Sequence, residues 1–309
     1  MKPRILVIRG GAIGDFILTL PAIRLLRENF PDAQLEILGY EHIVALAHGR
    51  FYADAIRSIE YSAMAGFFVP NSVLAPDLAE YFAGFQQIVS YLFDPDRIFE
   101  QNVRRCGVEN FLACFRKIDG GEHAARRWAR PLEELDLILS VPAARLYPAE
   151  ADRAFAREFQ LADATIAIHP GSGSASKNWP LENWLWLIGR LLGKGEASIL
   201  VVGGEADQAQ ISTLRAAFPD RVRFAENLTL VNLAAVLEQC AFFVGHDSGI
   251  SHIAAAVGTR CLLLFGPSDP AVWAPGNSNV RVLRAPSGRM ADLQPTEVLA
   301  GISRRAPMS

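Results

Sequence analysis

Two short runs gather most of the residues able to do chemistry: Gly171-Ser172-Gly173-Ser174-Ala175-Ser176-Lys177-Asn178-Trp179-Pro180 and His246-Asp247-Ser248-Gly249-Ile250-Ser251-His252. Each follows a short apolar segment, Thr165 to Ile168 and Phe242 to Gly245, that reads as a buried parallel strand, and each leads into a helical pattern. Polar groups so placed converge at one sheet edge, where an α/β sheet binds its ligand. A loop of small residues lets backbone approach a diphosphate, a helix N-terminus offers unpaired N–H groups, and Lys177 adds a cation. A nucleotide-linked substrate suits that combination. The plain alternative for Lys177 and Trp179 is a surface lysine and an aromatic anchor ahead of a helix.

Asp15 has three readings. Gly10-Gly11-x-x-Gly14-Asp15 places a carboxylate at a strand-to-helix turn, where it can serve the helix N-terminus. A dinucleotide fingerprint is disfavoured, because the first glycine of G-x-G-x-x-G is missing and a carboxylate would repel pyrophosphate. In the third reading Asp15 is a general base that takes a proton from an acceptor hydroxyl. Glu205, after Gly203-Gly204, suits the two hydroxyls of a ribose, with an exposed loop carboxylate as its plain alternative. Ser248 and nearby backbone amides can hold phosphate oxygens, and His252 would face the same cleft one turn on.

Other chemistries fit poorly. His246, Asp247 and His252 are metal-ligand types, but no D-x-D pair or H-x-x-x-H spacing accompanies them, so no metal is expected. Ser248, His252 and Asp247 cannot line up as nucleophile, base and orienter from one helical turn, and there is no G-x-S-x-G elbow. Charge stabilisation of a leaving group is the better use.

The elements that must position these groups recur along a chain of 309 residues, half of them hydrophobic, enough for two domains. Residues 4–8 predict a strand, Asp15 to Asn29 a helix that kinks at Pro21 or effectively begins near Thr19, and 34–38 a second strand. Phe85 to Phe93 predicts a later strand ending at Asp94. Residues 50–84 are aromatic-rich and broken by glycine and proline, and 116–130 collect Arg116, Lys117, His123, Arg126, Arg127 and Arg130. A solvated face is the plain reading of that basic run, and a grip on acidic sugars or phosphates the functional one. Helices at 149–159 and 181–192 and strands at 198–202 and 260–265 follow, then a weak helical pattern at 290–304. The expected domains are 1–147 and 148–289, with 290–309 a closing helix that packs back on the first domain.

Thirty basic against 33 acidic residues, a formal charge of −3, argue against a dedicated nucleic-acid binder. Cys106, Cys114, Cys240 and Cys261 show no C-x-x-C spacing and read as reduced, mostly core residues. No stretch is apolar enough for a signal peptide or a membrane span, so a cytoplasmic location is expected.

The chain resembles the ADP-heptose:lipopolysaccharide heptosyltransferases and their relatives, glycosyltransferase family nine. The resemblance rests on Gly14-Asp15-Phe16-Ile17-Leu18-Thr19-Leu20-Pro21-Ala22, on His169-Pro170-Gly171 with Lys177-x-Trp179-Pro180, on Gly203-Gly204-Glu205, and on Asp247-Ser248-Gly249-Ile250-Ser251-His252. Residues 50–130 carry none of it. It implies a GT-B architecture, two Rossmann-like doubly wound domains facing a cleft, with acceptor on the first and nucleotide-sugar donor on the second. It further implies inverting transfer of heptose from ADP-heptose to a lipopolysaccharide core, with the donor as substrate and neither cofactor nor metal required. By the same resemblance Asp15 is the base, Ser172, Lys177, Glu205, Ser248, Gly249, Ile250 and His252 hold the donor, and Leu228 walls the adenine. Asp247 joins the donor set; Gly14, Asp94, Arg126 and Arg127 are the expected acceptor contacts. The expected acceptor is a lipid-linked glycan, met by peripheral contact at the inner face of the cytoplasmic membrane. A nucleotide-sugar epimerase of the same architecture and a non-catalytic nucleotide-binding relative are the alternatives.

Overall fold

Apolar runs of four to six residues, each closed by a glycine-rich or polar turn and followed by a helix, build two parallel sheets. The computed structural model describes residues 2–118, 120–193 and 198–303, and the chain divides into two units, Met1–Pro142 and Ala143–Ser309.

In the first unit β1 (Arg4–Arg9), β2 (Gln34–Gly39), β3 (Ala55–Ser58), β4 (Gln87–Ser90) and β5 (Phe111–Ala113) form an all-parallel sheet of order β3-β2-β1-β4-β5. Its helices are α1 (Ile13–Asn29), α2 (Glu41–Val44), α3 (Pro76–Ala83), α4 (Ile98–Arg105) and α5 (Ala124–Ala129). Strand order reverses between β1 and β4, so a crevice opens beyond their carboxyl ends. α1 runs through Pro21 from Ile13, earlier than the periodicity suggested, and Asp15 therefore lies within its first turn. The aromatic-rich stretch 50–130, which carries none of the quoted motifs, holds core residues: Phe67, Phe82 and Phe99 are fully buried, with ring centroids 4.8 to 6.1 Å apart.

The second unit holds β6 (Ile166–His169), β7 (Ile199–Gly203), β8 (Arg223–Glu226), β9 (Phe242–His246), β10 (Cys261–Phe265) and β11 (Val280–Arg284), all parallel, in the order β11-β10-β9-β6-β7-β8. Its helices are α6 (Glu150–Arg157), α7 (Leu181–Gly193), α8 (Gln208–Ala217), α9 (Leu230–Glu238), α10 (Gly249–Ala256), α11 (Pro270–Trp273) and α12 (Pro295–Ser303). This is the six-stranded Rossmann order, reversing between β6 and β9.

The boundary falls five residues before the expected one because the connector is already tied to the second unit: the Leu146 amide donates to the Ala256 carbonyl at the end of α10, and Asn277 donates to the Ala144 carbonyl. The closing helix α12 belongs to this second unit, where Val298 is buried in a core shared with Trp184, Leu187 and Leu191 of α7. Residues 304–309 of the expected tail lie outside the described residues. Cys114, Cys240 and Cys261 are buried free thiols and Cys106 is a half-buried one. No helix among the described residues is long and apolar enough to cross a membrane.

Candidate active site

At the second unit's switch point β6 and β9 end side by side, His169 in register with Gly245. The loops that follow carry the two motif runs. Lys177 Nζ donates to Asp247 Oδ2 at 2.6 Å, and the Ser268 hydroxyl, from the loop after β10, donates to the same oxygen at 2.6 Å. Asp247 is nearly buried while Lys177 keeps a third of its side chain exposed, so the cation is held from beneath and open above. Ser248 caps α10, accepting from the Ser251 amide, and leaves the Gly249 and Ile250 amides of the first turn available for an anion.

The glycine loop is held by side chains that do not face outward. His246 is fully buried; its Nε2 accepts from the Trp179 amide at 2.9 Å and its Nδ1 lies 3.1 Å from the Gly171 carbonyl. Burial pushes this ring down to about 4, and the Gly171 carbonyl only partly offsets it, so the imidazole is neutral. The Ser172 hydroxyl is spent inside the loop, 2.8 Å from the Ser174 carbonyl and 2.7 Å from Asn178 Oδ1. Trp179 is an anchor: its ring meets Trp184 edge-on at 5.0 Å and its indole N–H donates to Leu293 at 2.9 Å.

Glu205 is exposed just past β7, and Leu228 is half-buried just past β8. Gly249 and Ile250 are half-buried in the first turn of α10, whereas His252, one turn on, is buried at 4% exposure. Two residues outside the expected set sit beneath this edge. His169 Nε2 lies 3.2 Å from Asp207 Oδ2, and His169 Nδ1 lies 3.3 Å from the Ser248 hydroxyl. Burial pushes the Asp207 carboxyl up, but the His169 contact and the Gly204 amide outweigh it and hold the acid below its usual range. A Cβ at Gly171 would overlap the Asp207 carboxylate, which explains the glycine. The spacing Gly203-Gly204-x-x-Asp207 was the available signal for Asp207; nothing local ties it to His169.

In the first unit Asp15 and Gly14 are half-buried at the start of α1, beyond the end of β1. The Asp15 Oδ2 is 3.4 Å from the Ala12 amide, a long contact that leaves most of the carboxylate's accepting capacity unused. Beneath it lies Arg9, 6% exposed, whose Nε donates to Thr19 Oγ1 at 2.9 Å; the Thr19 hydroxyl donates to the Asp15 carbonyl at 2.7 Å. The Arg9 guanidinium sits 4.4 Å from the Trp128 ring centroid. Burial lowers it from its ordinary range, and the Asp15 charge works against that pull.

Of the expected acceptor residues, Asp94 and Arg126 hold neighbouring backbone. Asp94 accepts from the Phe99 and Glu100 amides at 3.2 and 2.9 Å, holding the start of α4. Arg126 donates to the Leu139 and Ser140 carbonyls, and Arg127 lines a cavity of about 470 Å³ with Arg116, Arg130, Glu122 and Glu134. Among the described residues no group of three His, Cys, Asp or Glu side chains is placed to hold a metal ion.

A lysine, a capped helix N-terminus and a small-residue loop at one switch point can receive a diphosphate. A half-buried carboxylate at the other can accept a proton. Over its full length the chain is similar to solved structures at low identity. The glycosyl transferase family 9 protein from Veillonella parvula DSM 2008 matches with a TM-score of 0.79 and 18% identity, over 96% of this chain and 95% of that one. The E. coli ADP-heptose lps heptosyltransferase II matches with a TM-score of 0.76 and 17% identity, over 97% of each chain. These are likenesses of fold, of the expected GT-B class. In sequence, lipopolysaccharide heptosyltransferase 3 of E. coli strain K12 is 24% identical over 294 residues, 86% of this chain and 83% of that protein. The model of glycosyltransferase family 9 (heptosyltransferase) matches residues 109–302, well over half the chain. The chain belongs to glycosyltransferase family 9 and is a glycosyltransferase.

Proposed function

We propose that the chain transfers a heptose from ADP-heptose, with inversion, to a hydroxyl of a lipopolysaccharide core or a related surface glycan. Membership of the heptosyltransferase family supports this reading, as does the likeness to E. coli proteins named for that donor and that glycan. The observation that carries it is the pairing of Lys177, held by Asp247 at 2.6 Å, with the Ser248-capped N-terminus of α10 on the switch-point edge.

In the proposed step Asp15 takes the acceptor's proton as its oxygen attacks the anomeric carbon, and the C–O bond to the diphosphate breaks on the opposite face of the sugar. Lys177, the Ser248 hydroxyl and the Gly249 and Ile250 amides take the charge that develops on the departing diphosphate. Glu205 faces the ribose hydroxyls and Leu228 the adenine. Asp247 sets the lysine, and Ser172 keeps the loop shape. His252, being buried, supports α10 from within. On the first unit Gly14 and Arg127 meet the acceptor, while Asp94 and Arg126 act through the loops they hold. A lipid-linked acceptor brings the protein to the inner face of the cytoplasmic membrane, and the step uses no metal.

Incubation with ADP-heptose and a heptose-deficient core should yield glycan product and ADP only when both are present. Donor turnover without acceptor would indicate epimerisation instead. Thermal stabilisation by ADP should exceed that by UDP or GDP, approaching about 2.7 kcal/mol at 100 times its Kd. A preference for UDP or GDP would keep the transfer but change the donor.

A further inference from the structure

Ser248 cannot serve a phosphate while its proton is committed inward. Its oxygen accepts from the Ser251 amide at 3.4 Å and lies 3.3 Å from both Ser251 Oγ and His169 Nδ1. The Ser251 proton is itself taken by the His246 carbonyl. On the far side of the His169 ring, Asp207 accepts at Nε2 and also accepts from the Gly204 amide at 2.9 Å. A carboxylate only accepts, so Nε2 keeps its proton and the ring's second nitrogen decides what Ser248 does. With a neutral ring, Nδ1 is an acceptor and draws the Ser248 proton to itself. With an imidazolium, Nδ1 donates to the Ser248 oxygen and frees the hydroxyl proton for an outside acceptor.

We propose that His169, oriented by Asp207, is a positioning residue that takes up one proton from solvent when the donor's diphosphate binds, turning Ser248 outward as a phosphate donor. The proton returns to solvent when the nucleoside diphosphate leaves, so no bond of the substrate is broken by the relay. The inference rests on the reading of this edge as the diphosphate site. The charged and titratable neighbours fit it. Across the edge from β9, His246 has both nitrogens engaged and stays neutral. Asp247 is matched by Lys177 from the loop after β6, and Asp207 comes from the turn before α8. The bound diphosphate adds negative charge above this set, and an imidazolium at 4% exposure answers it from below.

The test is ADP binding to the full chain by titration calorimetry in buffers of different ionisation enthalpy. Runs above about pH 7.5 stay clear of the phosphate's own second ionisation, near pH 6. The expected result is net proton uptake by the wild type and affinity that weakens as pH rises, by at most about tenfold per pH unit. His169→Gln and Asp207→Asn should lose both the uptake and the slope while still binding ADP more weakly. Ring-nitrogen NMR on the wild type, which needs no variant, should show the His169 ring gaining its second proton on ADP addition. Equal proton numbers in wild type and His169→Gln, or a ring that stays neutral in the complex, overturn the relay and leave the diphosphate site standing. A wild type that binds no ADP overturns both.

Discussion

The two switch points share a topology and carry opposite chemistry. In the first unit the crevice between β1 and β4 presents the Asp15 carboxylate above a buried guanidinium whose Nη2 has no hydrogen-bond partner among the described residues. In the second, the crevice between β6 and β9 presents a lysine and a helix N-terminus above carboxylates and imidazoles that are already bonded to one another. The difference teaches that the parallel sheet supplies the place, and that the buried groups under each edge set the charge shown at it. In the proposed reading one edge takes a proton and the other an anion.

The comparison breaks first at Asp15. Asp15→Asn should lower kcat by roughly 10²- to 10⁴-fold with ADP affinity nearly unchanged, measured by steady-state kinetics and calorimetry. Unchanged turnover would reduce Asp15 to a helix-terminal residue. Lys177→Met should lower kcat/KM by roughly 10²- to 10³-fold and weaken ADP as well, since in the proposed reading this edge meets the donor in both ground and transition states. Adding Asp247→Asn should restore stability without restoring activity.

The glycines sharpen the contrast in packing. Gly171→Ala forces the Asp207 carboxylate to move and should cost roughly 1–3 kcal/mol of stability in chemical denaturation. Gly10→Ala, in the first unit's loop, meets only Leu92 at 3.4 Å and should be tolerated.

A further contrast is in pH. His246 is held neutral with its folded value near 4, below the ordinary 6.5, so its contribution is complete above pH 6.5 and is lost as pH falls toward 4. The loss should be at most about 1.4 kcal/mol per pH unit, read as the difference between wild type and His246→Gln in urea unfolding.

Much of this is legible in the sequence. Strands buried on both faces announce themselves as apolar runs, so β1, β2, β6, β7, β9 and β10 are readable to within a residue or two. The edge strands were not: β5 is three residues long, β8 reads Arg-Phe-Ala-Glu, and β11 reads Val-Arg-Val-Leu-Arg. The stretch 50–84 has no clean period because its aromatics pack from short, irregular segments. Lys177, Asp247 and Ser248 could be placed at strand ends by position alone. Their use could not, and neither could the engagement of Asp94 and Arg126 with neighbouring backbone.

Sequence alone determined the alternation of strand and helix, and with it which side chains lie at the carboxyl edge, since parallel strands joined by helical crossovers all end on one side. Tertiary structure alone decided which of those groups meet. Lys177 reaches Asp247 across 70 residues and His169 reaches Ser248 across 79, contacts made because strands distant in the chain become neighbours where the sheet order reverses.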